Sequence, residues 1–192
     1  GMLRLDAGIS GGPLVATPID ELDLEPRWQR ALSALCPSGA LRPVQRRAFA
    51  DDRVLESRRH LLVCAPTSGG KSLIGDALLV EALRRGRIAL LIEPLRALAR
   101  ERADELAQRI PQAVGDQRVR VRLSTGDARL EGEAFTDPPP RGELIVATPE
   151  RLEAILREPR RRRWLEAVGA VVVDEAHLIA SPRRGPTLEL LI

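Results

Sequence analysis

Lysine is almost missing from this sequence of 192 residues: Lys71 is the only one, although lysine and arginine together number 30. Tyrosine and asparagine are absent, and aromatic residues make up 2%. Such a skew toward arginine fits the codon bias of a GC-rich genome better than a basic patch built for nucleic acid, and the formal net charge is only +3. Cysteine is scarce too. Cys36 and Cys64 form neither a CxxC nor a metal-spaced cluster, so neither a disulfide framework nor a zinc module is indicated. Cys64 lies in an apolar run and reads as a buried, inert thiol. No apolar run reaches the roughly 20 residues that span a bilayer, and no cationic-then-apolar leader opens the chain. A cytoplasmic protein with no membrane partner is the expectation. What is present is a 44% hydrophobic composition, which suits a packed domain. At this length one α/β domain can bury roughly 70% of its unfolded surface.

Residues 1–20 are rich in glycine and proline and read as an N-terminal arm, leaving 21–192 as one domain. The periodicity predicts helices over 26–35, from Pro43 through Ala48, and over 71–85, 95–110 and 150–157. Between them lie short apolar runs at 60–64, 88–92, 144–147 and 170–173, with an alternating Val/Arg run at 119–123. Short apolar strands alternating with helices predict an α/β fold: a mostly parallel central sheet with helices on both faces. Ligands of such a sheet bind at the carboxyl ends of its strands.

Residues 65–72 read Ala-Pro-Thr-Ser-Gly-Gly-Lys-Ser, after an apolar strand and at the start of a helix. This is a P-loop with alanine in place of the first glycine. A polyphosphate needs many N–H donors at close range, which calls for Gly69 and Gly70. The helix behind the loop aims its positive end at the phosphates. Thr67 and Ser68 complete the wrap, Lys71 reaches the terminal phosphates as a compact charge, and Ser72 offers a hydroxyl to Mg²⁺. Arginine's planar fork does not fit that niche, which accounts for a single lysine among so many arginines. The competing reading is a glycine-rich turn that only caps a helix. Residues 171–177 read Val-Val-Val-Asp-Glu-Ala-His: an apolar strand delivers Asp174, suited to a Mg²⁺ shell, and Glu175, suited to polarising an attacking water. Together the two motifs describe an ATPase that uses ATP and Mg²⁺.

The same motifs resemble motifs I and II of superfamily-two DExH helicases, the second in its DEAH form. Further blocks resemble the Ski-type and archaeal repair branch, in order: Pro43-Val44-Gln45, its Q motif; Glu93-Pro94-Leu95-Arg96-Ala97-Leu98-Ala99, its motif Ia; Ser124-Thr125-Gly126-Asp127, a "TGD" element; Ala147-Thr148-Pro149-Glu150-Arg151-Leu152, its motif Ib; and Arg184-Gly185-Pro186-Thr187-Leu188-Glu189 after the DEAH box. The resemblance implies the first RecA-like P-loop NTPase domain of an ATP-dependent helicase or translocase, cut shortly after its DEAH motif. It implies that Gln45 reads adenine by two hydrogen bonds and that Trp28, upstream, packs on the base. It implies that Arg96, Thr148 and Arg151 track the backbone of a single strand or fork, DNA favoured over RNA, and that His177 couples the nucleotide state to the rest of the machine. Hydrolysis would require a second RecA-like domain of the parent chain, with its arginine fingers, so the fragment alone is expected to hydrolyse ATP negligibly. Polarity would be 3′ to 5′.

Other readings stay open on the sequence alone. Arg96 and Arg151 could be solvated helix residues, and Gln45 a surface one. The Arg160–Arg163 run could attract nucleic acid or be a solvated loop. The parent could be a duplex translocase or restriction-type motor that never unwinds, or the chain a non-catalytic nucleotide-binding module.

Overall fold

The computed structural model describes residues 1–6, 15–57, 59–66, 69–125, 142–157 and 162–176. The chain divides into two compact units, Gly1–Leu78 and Leu79–Ile192, with the boundary inside helix α3 (Lys71–Arg84).

In the first unit, strand β1 (Met2–Asp6) lies parallel to β4 (His60–Cys64), Leu3 facing Leu61 and Leu5 facing Val63. Helix α1 (Pro26–Leu35) opens on Pro26, whose fixed φ suits a first helical residue. It buries Trp28, Ala31, Leu32 and Leu35, the i, i+3, i+4, i+7 stripe of an amphipathic helix. A short antiparallel pair, β2 (Thr17–Pro18) with β3 (Ala40–Leu41), leads to helix α2 (Pro43–Arg46). The chain then widens into one π-helical turn, Arg47–Asp51. That i+5 spacing matches Arg46 to Asp51 at 3.1 Å and Arg47 to Asp52 at 3.3 Å.

The second unit is built on a four-stranded parallel sheet in the order β6-β7-β5-β8 (Arg120–Ser124, Glu143–Ala147, Ile88–Ile92, Val168–Val173). The inner strands β5 and β7 are buried at every position, as expected where helices cover both faces of a parallel sheet. The outer strands show wetter residues, which explains the Val/Arg alternation of β6. One face carries Ile88, Leu90, Ile92, Ile145 and Ala147 against Leu152, Ile155 and Trp164, drawn from α5 (Pro149–Leu156) and α6 (Arg162–Glu166). Ala89, Leu91, Leu144 and Val146 are also buried and, by strand alternation, take the other face. Helix α4 (Arg96–Val114) packs along β6 and β7 with a stripe of Ala99, Ala103, Leu106, Ile110 and Ala113. It runs on past the predicted end at Ile110 and through Pro111. The proline removes only the bond to the carbonyl of Ala107, an exposed residue whose oxygen water can reach. Gly115, at φ +82°, ends the helix in the left-handed conformation.

The amino ends of the sheet's strands are tied by Arg87. Its Nη2 donates to Glu166 O at 2.6 Å and Val168 O at 3.2 Å. Gly142 and Gly169 crowd it so closely that added Cβ atoms would lie 2.3 Å from Arg87 O and 2.6 Å from Arg87 Cβ. The carboxyl ends therefore remain for other work.

Two expectations need correction. Cys64 is half-buried and free, not enclosed, because β4 carries partly exposed residues along its whole length. Trp28 is only 2% exposed: the apolar stripe of α1 turns its ring into the core, where it cannot stack on a nucleotide base.

Candidate nucleotide and strand sites

In the first unit the loop after β4 folds back on itself. Gly69 N–H donates to Pro66 O at 2.7 Å. Lys71, at the first turn of α3, donates its ammonium protons to Ala65 O at 2.9 Å and Pro66 O at 3.2 Å. These two carbonyls hold the cation at the mouth of the loop. Gly70 sits at φ +80°, and a Cβ there would meet Gln45 Nε2 at 2.2 Å. Both the conformation and the approach require glycine. Gln45 is 5% exposed; its Oε1 accepts from Arg42 N–H at 2.8 Å and its Nε2 donates to Gly70 O at 2.8 Å. The side chain thus pins the P-loop to the start of α2. One amide N–H and one oxygen lone pair of Gln45 are not used by these two bonds. Ser72 is exposed on the first turn of α3. Thr67 and Ser68 lie outside the described residues.

In the second unit all four strands of the sheet end at residues the motifs single out: Ser124 on β6, Thr148 after β7, Glu93 after β5 and Asp174 after β8. The backbone of Asp174 is fixed by its N–H donating to Ile92 O at 3.0 Å. Its carboxylate Oδ1 accepts from the Glu175 N–H at 2.8 Å. Glu175 is held at φ +52°, a conformation that non-glycine residues adopt rarely and at some cost. Both carboxylates are half-buried. His177 and residues 184–189 lie outside the described residues, as do Gly126, Asp127, Arg160 and Arg161.

Arg96, Thr148 and Arg151 line one cleft of about 700 Å³ together with Leu95 and Glu150. Arg96 is the first residue of α4, and Thr148 is the N-cap of α5, its carbonyl accepting from Arg151 N–H at 3.1 Å and Leu152 N–H at 3.0 Å. Arg151 is further fixed by its Nε, which donates to Ser124 Oγ at 3.1 Å. The sequence marks the block containing Ser124 but assigns it no task. The link to Arg151 spans 27 residues, and no local periodicity encodes it. The Gln45–Gly70 bond, across 25 residues, is hidden for the same reason.

In the first unit, lysine, glycines and a helix start suit a polyphosphate and Ser72 offers a hard oxygen; in the second, the Asp174 carboxylate is likewise a hard oxygen donor of the kind Mg²⁺ prefers. Comparison with known proteins agrees in kind. The DEAD/DEAH box helicase family matches residues 42–192. The chain is 35% identical over 134 residues to the ATP-dependent DNA helicase Hel308 of Methanocella arvoryzae, covering 70% of this chain and 17% of that protein. To the Hel308 of Thermococcus kodakarensis it is 34% identical over 175 residues, 91% of this chain and 14% of the relative. The RQC trigger complex helicase SLH1 of Saccharomyces cerevisiae is 28% identical over 163 residues, 84% of this chain and 8% of that protein. The chain thus spans less than a fifth of the length of the relatives it matches. A parallel sheet with helices on both faces, carrying four of these motif blocks at its strand ends, together with a P-loop after β4 of the first unit, fits an α/β RecA-like fold, and the chain belongs to the DEAD/DEAH box helicase family.

Proposed function

We propose that this chain is the ATP-binding domain of an ATP-dependent translocase or helicase acting on single-stranded or forked nucleic acid, with DNA the favoured substrate. The observation that carries the reading is the P-loop itself. Lys71 is held at its mouth by two loop carbonyls, and Gly70 is pinned by Gln45. A polyphosphate offers Lys71 stronger acceptors than Ala65 and Pro66. Loop amides from Thr67 to Ser72 would take the non-bridging oxygens, that of Gly69 by leaving Pro66 O, and the remaining donor and acceptor of Gln45 would read adenine. Ser72 and Asp174 would hold Mg²⁺, which neutralises phosphate charge when bound. Glu175 orients and deprotonates the attacking water, and His177 relays the nucleotide state. Arg96, Thr148 and Arg151 bind the strand. A second RecA-like domain of the parent chain supplies the opposing jaw.

That the two Hel308 relatives are named ATP-dependent DNA helicases supports the DNA preference. Among the described residues no helix is long and apolar enough to cross a membrane, and we assign the protein to the cytoplasm.

The test is a titration with a fluorescent ATP analogue and Mg²⁺. Lys71→Ala should weaken binding by at least about tenfold while leaving the fold intact, since its bonds are to one loop only. Gln45→Ala should lower the preference for adenine over guanine nucleotides. Equal binding by wild type and Lys71→Ala would sink the assignment of this loop to phosphate.

A further inference from the structure

Arg151 is anchored differently from several other arginines among the described residues. Arg102, Arg109, Arg118, Arg122 and Arg157 each pair with a carboxylate. The Nε of Arg151 instead donates to a neutral hydroxyl, Ser124 Oγ, at 3.1 Å. Ser124 is fully buried, at the carboxyl end of β6 and in register with Ala147 of β7. That end of the side chain is therefore fixed by the sheet, while the backbone of Arg151 is fixed by Thr148 O at the start of α5.

A hydroxyl orients a guanidinium without cancelling its charge, whereas a carboxylate does both. The guanidinium is planar and carries five N–H donors. With Nε committed, the four on the terminal nitrogens are left for a ligand, in the fork geometry that matches two oxygens of one phosphate. Arg151 lines the same cleft as Arg96 and Thr148. Glu150 also lines that cleft, so the alignment of the cation matters: a fork fixed toward a phosphate is not free to swing to a neighbouring carboxylate.

We propose that Ser124 is a positioning residue for strand binding, setting the guanidinium plane of Arg151 so that its terminal nitrogens grip one backbone phosphate. This deepens the reading of the cleft as a strand-binding surface and rests on it.

The test measures binding of a fluorescent single-stranded DNA oligonucleotide to the 192-residue chain by anisotropy over a range of salt. The proteins are wild type, Ser124→Ala, Ser124→Thr, Arg151→Ala and the Ser124→Ala/Arg151→Ala double variant. A thermal melt of each guards against unfolding. Ser124→Ala should weaken binding about three- to tenfold, and Ser124→Thr, which keeps the hydroxyl, should restore it. Arg151→Ala should weaken binding further and lower the slope of log affinity against log salt by about 0.7, the value for one phosphate contact on a single strand. In the Arg151→Ala background, Ser124→Ala should then add nothing. An equal loss from Ser124→Ala in both backgrounds would show a structural role and overturn the proposal, as would no loss at all. If Arg151→Ala has no effect, or if the wild-type chain does not bind the oligonucleotide, the reading of the cleft itself fails and the anchor falls with it. A second readout needs no DNA: the Arg151 Nε–H proton should exchange with water faster in Ser124→Ala than in wild type. An unchanged rate would overturn the anchor alone.

Discussion

At the scale of single residues, the P-loop shows two kinds of legibility. Lys71 can be picked out because it is the only lysine, and its chemistry is local to an eight-residue motif. The contact that shapes the loop cannot, because Gln45 and Gly70 meet only in the folded chain. That contact makes a sharp prediction. Gly70→Ala faces both a φ of +80° and a Cβ position 2.2 Å from Gln45 Nε2, so it should cost about 1–3 kcal/mol and weaken ATP-analogue binding by about tenfold or more. Combining it with Gln45→Ala removes the collision but not the backbone strain. The double variant should therefore recover part of the stability in urea titrations. Full recovery would mean that the conformation of Gly70 carries no strain, and no recovery would mean that the close approach is relieved by other movement.

At the scale of elements, strands are the easiest to read. The runs at 60–64 and 88–92 match β4 and β5 to the residue: β5, buried at every position, is apolar without interruption, and β4, though partly exposed, is apolar after His60. Strand β1 falls within the glycine- and proline-rich stretch read as an arm: the apolar/charged alternation of Leu3–Asp6 is a strand signal like that of β6, but it is only four residues long, with Arg4 and Asp6 joined at 2.9 Å on its exposed side. Helix α6 is masked by the arginine run from which it emerges. Helix α4 outlasts its expected end because proline breaks most helices, whereas here the missing bond falls on the wet face. Packing and backbone conformation set the cost of two further substitutions. Ile145, with no exposed surface at the centre of the sheet, should cost about 2–5 kcal/mol when replaced by alanine, measured by chemical denaturation. A methyl added at Gly115 would meet nothing within 4 Å, but the residue holds a φ of +82°, so Gly115→Ala should cost about 1 kcal/mol, and Gly115→Asn less. A Gly115→Ala penalty near zero would mean that the helix end relaxes out of the left-handed conformation.

At the scale of the whole molecule, charge misleads and arrangement informs. The sequence has a pI near 9.6, yet its net charge of +3 is too small to imply a general affinity for polyanions. If the cleft binds a strand through a few placed cations, affinity should fall with salt at a slope of about −0.7 per phosphate engaged, and Arg96→Ala should reduce that slope as Arg151→Ala does. A slope that is unchanged by either variant, in the oligonucleotide titrations, would point to diffuse attraction instead. The family and the α/β alternation are legible from motif order. The grouping of Arg96, Thr148 and Arg151 is legible only as a resemblance, because it depends on β5 and β7 lying side by side, which neither strand's sequence states.

The knot of contacts around Arg87, Gly142 and Gly169 sits at the far end of the strands from every residue of the second unit given a functional task. Substitutions there, such as Gly142→Ala, should lower the melting temperature without changing the salt slope of strand binding. They would act as a built-in calibration, showing how much apparent loss of function comes from a loosened scaffold, so that whatever exceeds it at Arg96, Ser124 or Arg151 can be attributed to recognition.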